Sequence, residues 1–154
     1  MSAKPVFRSS GKPGFSSAVR DAPARVMARK LAREVDVRFA EQGCTVRTAE
    51  GEVRARPGDA ILTGTSGEHW RVSSAHFPGK YEPVPPTAPG GPGRYRAKRY
   101  EVMALRMSQS FRVVLSDGLS DLDGRAGDWL VDYGDGSLGI VSPRIFDTTY
   151  EIMS

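Results

Sequence analysis

The 154-residue sequence contains a single cysteine, Cys44, so no intrachain disulfide can form. Its apolar runs are far shorter than the roughly 20 residues that a membrane-spanning helix needs, and its N-terminus lacks the apolar core of a signal peptide. These absences predict a cytoplasmic protein without a membrane span. Phosphate-binding loops of the P-loop or Rossmann type are missing, and no Ser-His-Asp order stands out. We therefore expect no cofactor and no metal site.

Positive charge is unevenly distributed along the chain. The net charge is +4, but residues 1–33 carry eight Lys and Arg against Asp21 alone. Residues 1–25 also contain few large apolar side chains, so they cannot bury enough surface to offset the entropy of ordering. The sequence predicts a basic arm over residues 1–25 that is disordered unless bound. Such an arm could engage nucleic acid, an anionic surface or the rest of the chain.

A second break lies at residues 85–93, where proline and glycine exclude a regular helix or a central strand. This stretch predicts a linker between one module at residues 26–84 and another at residues 94–154.

The two modules resemble each other in sequence. With an offset of 69 residues, 8 of 27 positions are identical between 58–84 and 127–153, where composition alone gives roughly one or two. Upstream the offset is 67. The main shared positions pair Gly58 with Gly127, Asp59 with Asp128, Phe77 with Phe146, Tyr81 with Tyr150 and Glu82 with Glu151. We interpret these as structural residues of an internal repeat, because every copy of a fold needs its turns and its core.

Each module has the local pattern of β-structure. Pro57-Gly58 is typical of a type II turn, in which glycine takes positive φ. Asp135-Gly136 predicts a hairpin between strands at 129–133 and 138–141, and Ser66-Gly67 predicts its weaker counterpart. A further turn is predicted at Asp117-Gly118.

Short helical turns are predicted near the end of each module. Ser142 and Pro143 suit an N-cap and a first helical position. Phe146 and Tyr150 then lie on one face, as do Phe77 and Tyr81. Residues 24–33 are ambiguous between helix and strand, and we favour an amphipathic helix until about Leu31. The expected fold is mainly β, with two tandem β-barrel or sandwich-like modules packed around a pseudo-twofold axis.

The second module resembles the PGDYG type of small bacterial and phage domain. The residues that carry this resemblance are Tyr95, Arg96, Lys98, Glu101, Val102, Gly127, Asp128, Trp129, Gly136, Pro143, Ile145, Phe146, Thr149, Tyr150 and Glu151. They cover residues 94–154, and the first module matches more weakly. The resemblance implies the fold and the repeat, and it implies no activity.

Candidate functional residues are those that the two modules do not share. His69, Trp70 and His76 occur only in the first module, where they could form an enzyme site or be semi-buried structural residues. Arg96, Lys98 and Arg99 alternate with tyrosines, so residues 94–100 could track a nucleic-acid backbone. The alternative is an edge strand whose charges face water.

Three functions remain open from the sequence. The leading prediction is a non-enzymatic module that binds a protein or a small ligand near the groove between the modules. The second is nucleic-acid binding through the basic arm and residues 94–100. The third is an enzyme centred on His69 and His76.

Overall fold

The computed structural model describes residues 4–116 and 120–153. The chain is mainly β, with 46% strand and 10% helix, as the sequence predicts. The strands are β1 (Val6–Arg8), β2 (Val26–Lys30), β3 (Glu34–Phe39), β4 (Cys44–Thr48), β5 (Gly51–Ala55), β6 (Ala60–Thr63), β7 (His69–Val72), β8 (Tyr81–Pro83), β9 (Gly93–Ala97), β10 (Glu101–Arg106), β11 (Phe111–Val114), β12 (Asp121–Gly124), β13 (Trp129–Asp132), β14 (Leu138–Val141) and β15 (Tyr150–Ile152). The helices are α1 (Ser17–Arg20), α2 (Phe77–Lys80) and α3 (Pro143–Thr149).

The chain forms two compact units that differ in continuity. One unit, here called the split unit, combines Met1–Lys30 with Glu101–Ser154. The other, the continuous unit, is Leu31–Tyr100. These boundaries differ from the predicted modules at 26–84 and 94–154, because β2 lies in the split unit and β9 lies in the continuous unit.

Each unit is built on a five-stranded antiparallel sheet. The order is β14-β13-β10-β2-β15 in the split unit and β7-β6-β3-β9-β8 in the continuous unit. The central registers also correspond, since β10 pairs Glu101 with Arg29 and β3 pairs Glu34 with Arg96. The split unit also contains the hairpin β11-β12, and the continuous unit contains the hairpin β4-β5. The two sheets therefore have the same strand order and equivalent pairing.

One inner strand of each sheet, β2 or β9, comes from an unexpected part of the chain. Although only three residues separate β2 from β3, β2 pairs with β10 and β15 instead. In the same way β9 precedes β10 but pairs with β3 and β8. Each of β2 and β9 thus pairs with strands other than the one that follows it in the chain.

The predicted helix up to Leu31 is wrong, because residues 26–30 form a strand. From Met27 to Lys30 the residues are alternately partly exposed and buried, with Ala28 and Lys30 buried, which is the alternation of a strand. Val26, Met27 and Leu31 fit a helical face equally well, so the hydrogen bonds to β10 and β15 decide the outcome.

Residues 4–25 of the predicted arm include β1 and α1, whereas the sequence predicts disorder unless this segment is bound. β1 pairs in parallel with β11, and α1 buries Val19 completely. Gly11 N and Gly14 N donate to the carbonyls of Gly136 and Gly134. The arm has too few apolar groups to fold alone, but backbone bonds to an existing unit supply what composition cannot.

The proline-rich stretch at 85–93 lies within the continuous unit and joins β8 to the neighbouring strand β9. Tyr95 organises this loop, because its hydroxyl accepts from Gly90 N at 3.1 Å and donates to Gly91 O at 2.8 Å. The loop is a hairpin connection, whereas the sequence predicted a linker between modules.

Several local predictions are confirmed. Gly58 and Gly127 have φ of 89° and 97°, and β14 has the predicted bounds. Ser142 caps α3, where its side chain accepts from Ile145 N. Within residues 4–116 and 120–153, no sheet closes into the predicted barrel. The predicted turn at Asp117-Gly118 lies outside the described residues.

No helix among the described residues is long and apolar enough to cross a membrane.

Candidate binding pocket

A pocket of about 480 Å³ opens in the continuous unit. Its volume lies within the range of about 300–1,000 Å³ that is typical of small-ligand sites. The lining consists mainly of aromatic and proline rings with few polar groups: Phe39, Gly58, Ser74, Phe77, Pro78, Tyr81, Glu82, Pro83, Pro89, Gly90, Tyr95 and Lys98. This composition suits a largely apolar ligand.

The four rings of the pocket come from four neighbouring elements. Phe77 begins α2 and stacks on Tyr81 of β8 with ring centroids 5.3 Å apart. Phe39 at the end of β3 meets Phe77 edge-on at 5.3 Å, and Tyr95 of β9 meets it at 5.0 Å. Because Tyr95 and Tyr81 lie on adjacent strands, the sheet register holds the rings together.

Two charged side chains, Lys98 and Glu82, lie at the pocket on exposed positions. Lys98 Nζ donates to the carbonyl oxygen of Pro78 at 2.8 Å. An ammonium group has three N–H donors, so this bond leaves Lys98 able to pair with an anionic group.

The equivalent region of the split unit is filled differently. Trp129 at the start of β13 stacks on Phe146 of α3 at 4.2 Å, whereas Ala60 starts the equivalent strand β6. Lys30 lies over the ring of Tyr150, with its Nζ 4.7 Å from the ring centroid.

Smaller or relocated side chains accompany the pocket in the continuous unit. Ala97 faces Tyr81 where Lys30 faces Tyr150. The large aromatic side chain also lies on a different strand in the two units. In the continuous unit Phe39 of β3 is opposite Ala60, whereas in the split unit Trp129 of β13 is opposite Arg106.

The predicted residues His69, Trp70 and His76 occupy separate structural environments. His69 is exposed on β7, with Nδ1 3.0 Å from Thr63 Oγ1. Trp70 packs partly buried against the core of the continuous unit, and His76 precedes α2. In the parts of the chain that the structure describes, no group of three His, Cys, Asp or Glu side chains could hold a metal ion.

The predicted basic stretch is engaged within the sheet. Arg96 forms an ion pair with Glu34 at 3.8 Å, and β9 lies inside the sheet between β3 and β8. The prediction of an edge strand is therefore wrong. Tyr95 is only 2% exposed, and its hydroxyl is engaged by the loop around Gly90. Of the predicted basic residues, Lys98 lines the pocket, while Arg99 lies beyond the strand and makes further contacts.

Asp59 and Asp128 each organise the turn before a central strand. Asp59 accepts from Arg56 N at 2.9 Å, and Asp128 accepts from Arg125 N at 3.0 Å. In both turns this donor precedes the aspartate by three residues. Asp59 has two further partners, Ser74 N at 3.0 Å and Arg71 at 3.4 Å.

The predicted glutamates lie on the edge strands of the two sheets. Glu151 forms an ion pair with Arg29 at 3.7 Å, and Glu82 lies opposite Arg96 in the register of β8 and β9. Both therefore lie opposite an arginine of the inner strand β2 or β9.

Two aspartates of the split unit have shifted pKa values. Burial raises the pKa of Asp132, although Gly134 N and Ser16 N donate to its carboxylate and favour ionisation. A hydrogen bond from Arg112 lowers the pKa of Asp123, to which Lys4 also donates. Both groups contact the arm or its neighbouring strand, so they belong to the attachment of the arm.

Sequence analysis did not single out Phe39, Tyr95 and the loop around Gly90 as pocket residues. A signal was present, because Phe39 and Tyr95 are aromatic where the aligned positions of the other module hold Arg106 and Ala28. The pairing of β9 with β3 was needed to bring them together.

A family model described as PGDYG protein matches residues 51–151, about two thirds of the chain. The chain therefore belongs to the PGDYG protein family. The match runs from β5 to β15 and includes residues of both units, whereas the sequence resemblance was strongest over 94–154. No curated protein and no solved structure matches the chain.

Proposed function

We propose that the protein is a non-enzymatic binding module whose ligand site is the pocket of the continuous unit. The observation that carries this proposal is the ring-lined pocket with Lys98 at its rim. Aromatic and proline rings favour apolar ligand groups, and an ammonium group favours a negative charge. The ligand class that fits is a small, mainly apolar molecule with one anionic group.

Glu82 narrows this ligand class further. Its carboxylate is exposed at the same pocket, so a ligand with several negative charges would be repelled there. A single anionic group placed at Lys98 satisfies both side chains.

The test uses anilinonaphthalene sulfonate, a dye with apolar rings and one anionic group. Ser74→Phe places a ring at the exposed rim of the pocket and is expected to weaken dye binding about tenfold or more, since steric exclusion removes the apolar contacts. Ser66→Phe, at an exposed loop position away from the lining, is the matched control. Equal dye affinity of Ser74→Phe and wild type would refute the site.

A second substitution tests the anionic part of the ligand class. Lys98→Gln is expected to weaken sulfonate binding about three- to tenfold while leaving an uncharged naphthalene analogue unaffected. Lys12→Gln, on the arm, is the control for loss of one positive charge. An equal loss of affinity for the sulfonate dye and the uncharged analogue would contradict the proposal that Lys98 binds the anionic group.

The repeated strand order supports a related proposal about origin. We infer that the chain is a tandem duplication in which the first strands, β2 and β9, have exchanged places. On this basis one copy retained a filled core around Trp129 while the other acquired a pocket between Phe39 and Tyr95. Duplication leaves one copy free to diverge while the other preserves stability.

A further inference from the structure

The first 30 residues contribute one docked segment to the split unit. We call residues 4–30 the donor segment and residues 101–153 the acceptor. Strand β2 lies between β10 and β15 and is paired on both sides. Arg29 lies within 3.6 Å of Glu101 and 3.7 Å of Glu151. The donor segment thus supplies an inner strand, without which the acceptor sheet is interrupted.

The donor segment also makes specific contacts along the rest of its length. The Phe7 ring meets the Phe111 ring edge-on at 6.3 Å, and Ser9 N donates to Val114 O at 2.9 Å. Ser16 N donates to the buried carboxylate of Asp132. Val19 and Ala28 are both 0% exposed. Backbone pairing, apolar anchors and a buried acceptor therefore all hold the segment in one register.

Charge complementarity reinforces this docking. Residues 1–30 contain seven Lys and Arg and one Asp, a net charge of +6. Residues 101–154 contain four Arg and nine Asp and Glu, a net charge of −5. Opposite net charges accelerate association and favour this partner over a neutral or acidic strand.

A single short connection joins the donor segment to the continuous unit. Residues 31–33 link β2 to β3, and Arg33 N donates to Leu31 O at 2.8 Å in a tight turn. Short, tight hinge loops favour exchange of the linked element between chains. Because only one connection must open, exchange needs no other rearrangement of the continuous unit.

We propose that the acceptor also takes the donor segment of a second copy of this chain. Two copies that donate residues 4–30 to each other form a closed dimer with the same contacts as the monomer. Docking within one chain has an effective concentration on the order of millimolar. Exchange is therefore expected when chains refold together at a comparable concentration. The exchanged dimer then persists, because its return to monomers requires β2 to leave the sheet.

Complementation between two defective variants tests this proposal. Ala28→Asp damages the donor segment, and Val102→Asp damages the acceptor strand opposite it. Both variants carry Trp70→Phe, so Trp129 fluorescence reports the split unit alone. Refolded together, they are expected to form a dimer by light scattering with about half of the wild-type Trp129 signal, because one of the two acceptors receives an intact donor.

The matched control mixes Val102→Asp with Val131→Asp, two acceptor variants that cannot repair each other. This mixture is expected to give no recovery of the wild-type Trp129 signal. Recovery in the control equal to that in the donor-acceptor mixture would contradict exchange.

A wild-type experiment keeps the test independent of how the variants fold. Tagged and untagged wild-type chains are refolded together at about 1 mM and diluted, and the tagged chain is captured. Untagged chain is expected in the captured fraction. Absence of untagged chain overturns the proposal.

Discussion

The split unit and the continuous unit share a sheet order but fill the space beside their terminal helices in opposite ways. In the split unit Trp129 stacks on Phe146 and Lys30 covers Tyr150. In the continuous unit Ala60 and Ala97 occupy the equivalent positions, and Phe39 meets Phe77 from the neighbouring strand. A shared framework can therefore carry different aromatic packing, depending on a few side chains.

The largest expected difference concerns this aromatic packing. Trp129→Ala is expected to destabilise the split unit by about 3–5 kcal/mol, because a buried stacked ring is removed. Phe39→Ala is expected to cost about 1–2 kcal/mol, since Phe39 is only partly buried at the pocket. Denaturant unfolding followed by circular dichroism measures both. Equal losses of unfolding free energy in the two variants would contradict a difference in aromatic packing between the two units.

The turn aspartates provide the next comparison. Asp59→Ala removes the carboxylate partner of Arg71, whose side chain is 17% exposed and also donates to Arg54 O, and leaves Ser74 N without its acceptor. We expect a loss of about 3–5 kcal/mol. Asp128→Ala removes one bond at a half-buried turn and is expected to cost about 1 kcal/mol. Urea midpoints of the two variants test the order, and equal losses would mean that both aspartates act only within their turns.

Asp132 introduces a pH dependence that the continuous unit lacks at the equivalent position, Thr63. Burial raises the folded-state pKa of Asp132 above its ordinary value of 3.8, so the folded protein holds this proton more tightly than the unfolded chain does. Unfolding then releases a proton between the two pKa values. The contribution of Asp132 to stability is therefore full below pH 3.8 and is lost as the pH rises through the folded-state value.

Asp132→Asn is expected to remove this slope, although its single amide oxygen can accept from only one of Ser16 N and Gly134 N, which donate to different oxygens of Asp132. The measurement is the free energy of unfolding of the variant and the wild type between pH 3 and pH 7. Thr63→Val is the control in the continuous unit. A constant difference between Asp132→Asn and wild type over this range would contradict the assignment.

The smallest expected effect concerns Lys30, which is buried over the Tyr150 ring. Lys30→Met keeps the aliphatic chain but removes the charge, so we expect a loss of about 1 kcal/mol from the cation-π contact. Ala97→Met at the equivalent position of the continuous unit serves as the control. Thermal unfolding at two salt concentrations measures the effect, and a gain in stability for Lys30→Met would contradict it.

Local structure could be predicted from the sequence where the backbone chemistry is specific. Gly58 and Gly127 adopt the predicted positive φ, and Ser142 with Pro143 starts α3 as expected. The candidate pocket could not be predicted, because Phe39, Tyr81 and Tyr95 come from three strands whose pairing depends on the placement of β9. Local patterns carry no information about which distant strand is the partner.

The sequence by itself determined the mainly β character and the turns, because these follow from the preferences of a few adjacent residues. Only the tertiary structure decided that β2 is a strand, that it joins β10 and β15, and that the arm lies along β11. The physical reason is that β2 and β9 present equivalent registers to both sheets, with Arg29 and Arg96 each facing glutamates. Such equivalence leaves the choice of partner to long-range packing, where the buried side chains and the charges of whole segments act together.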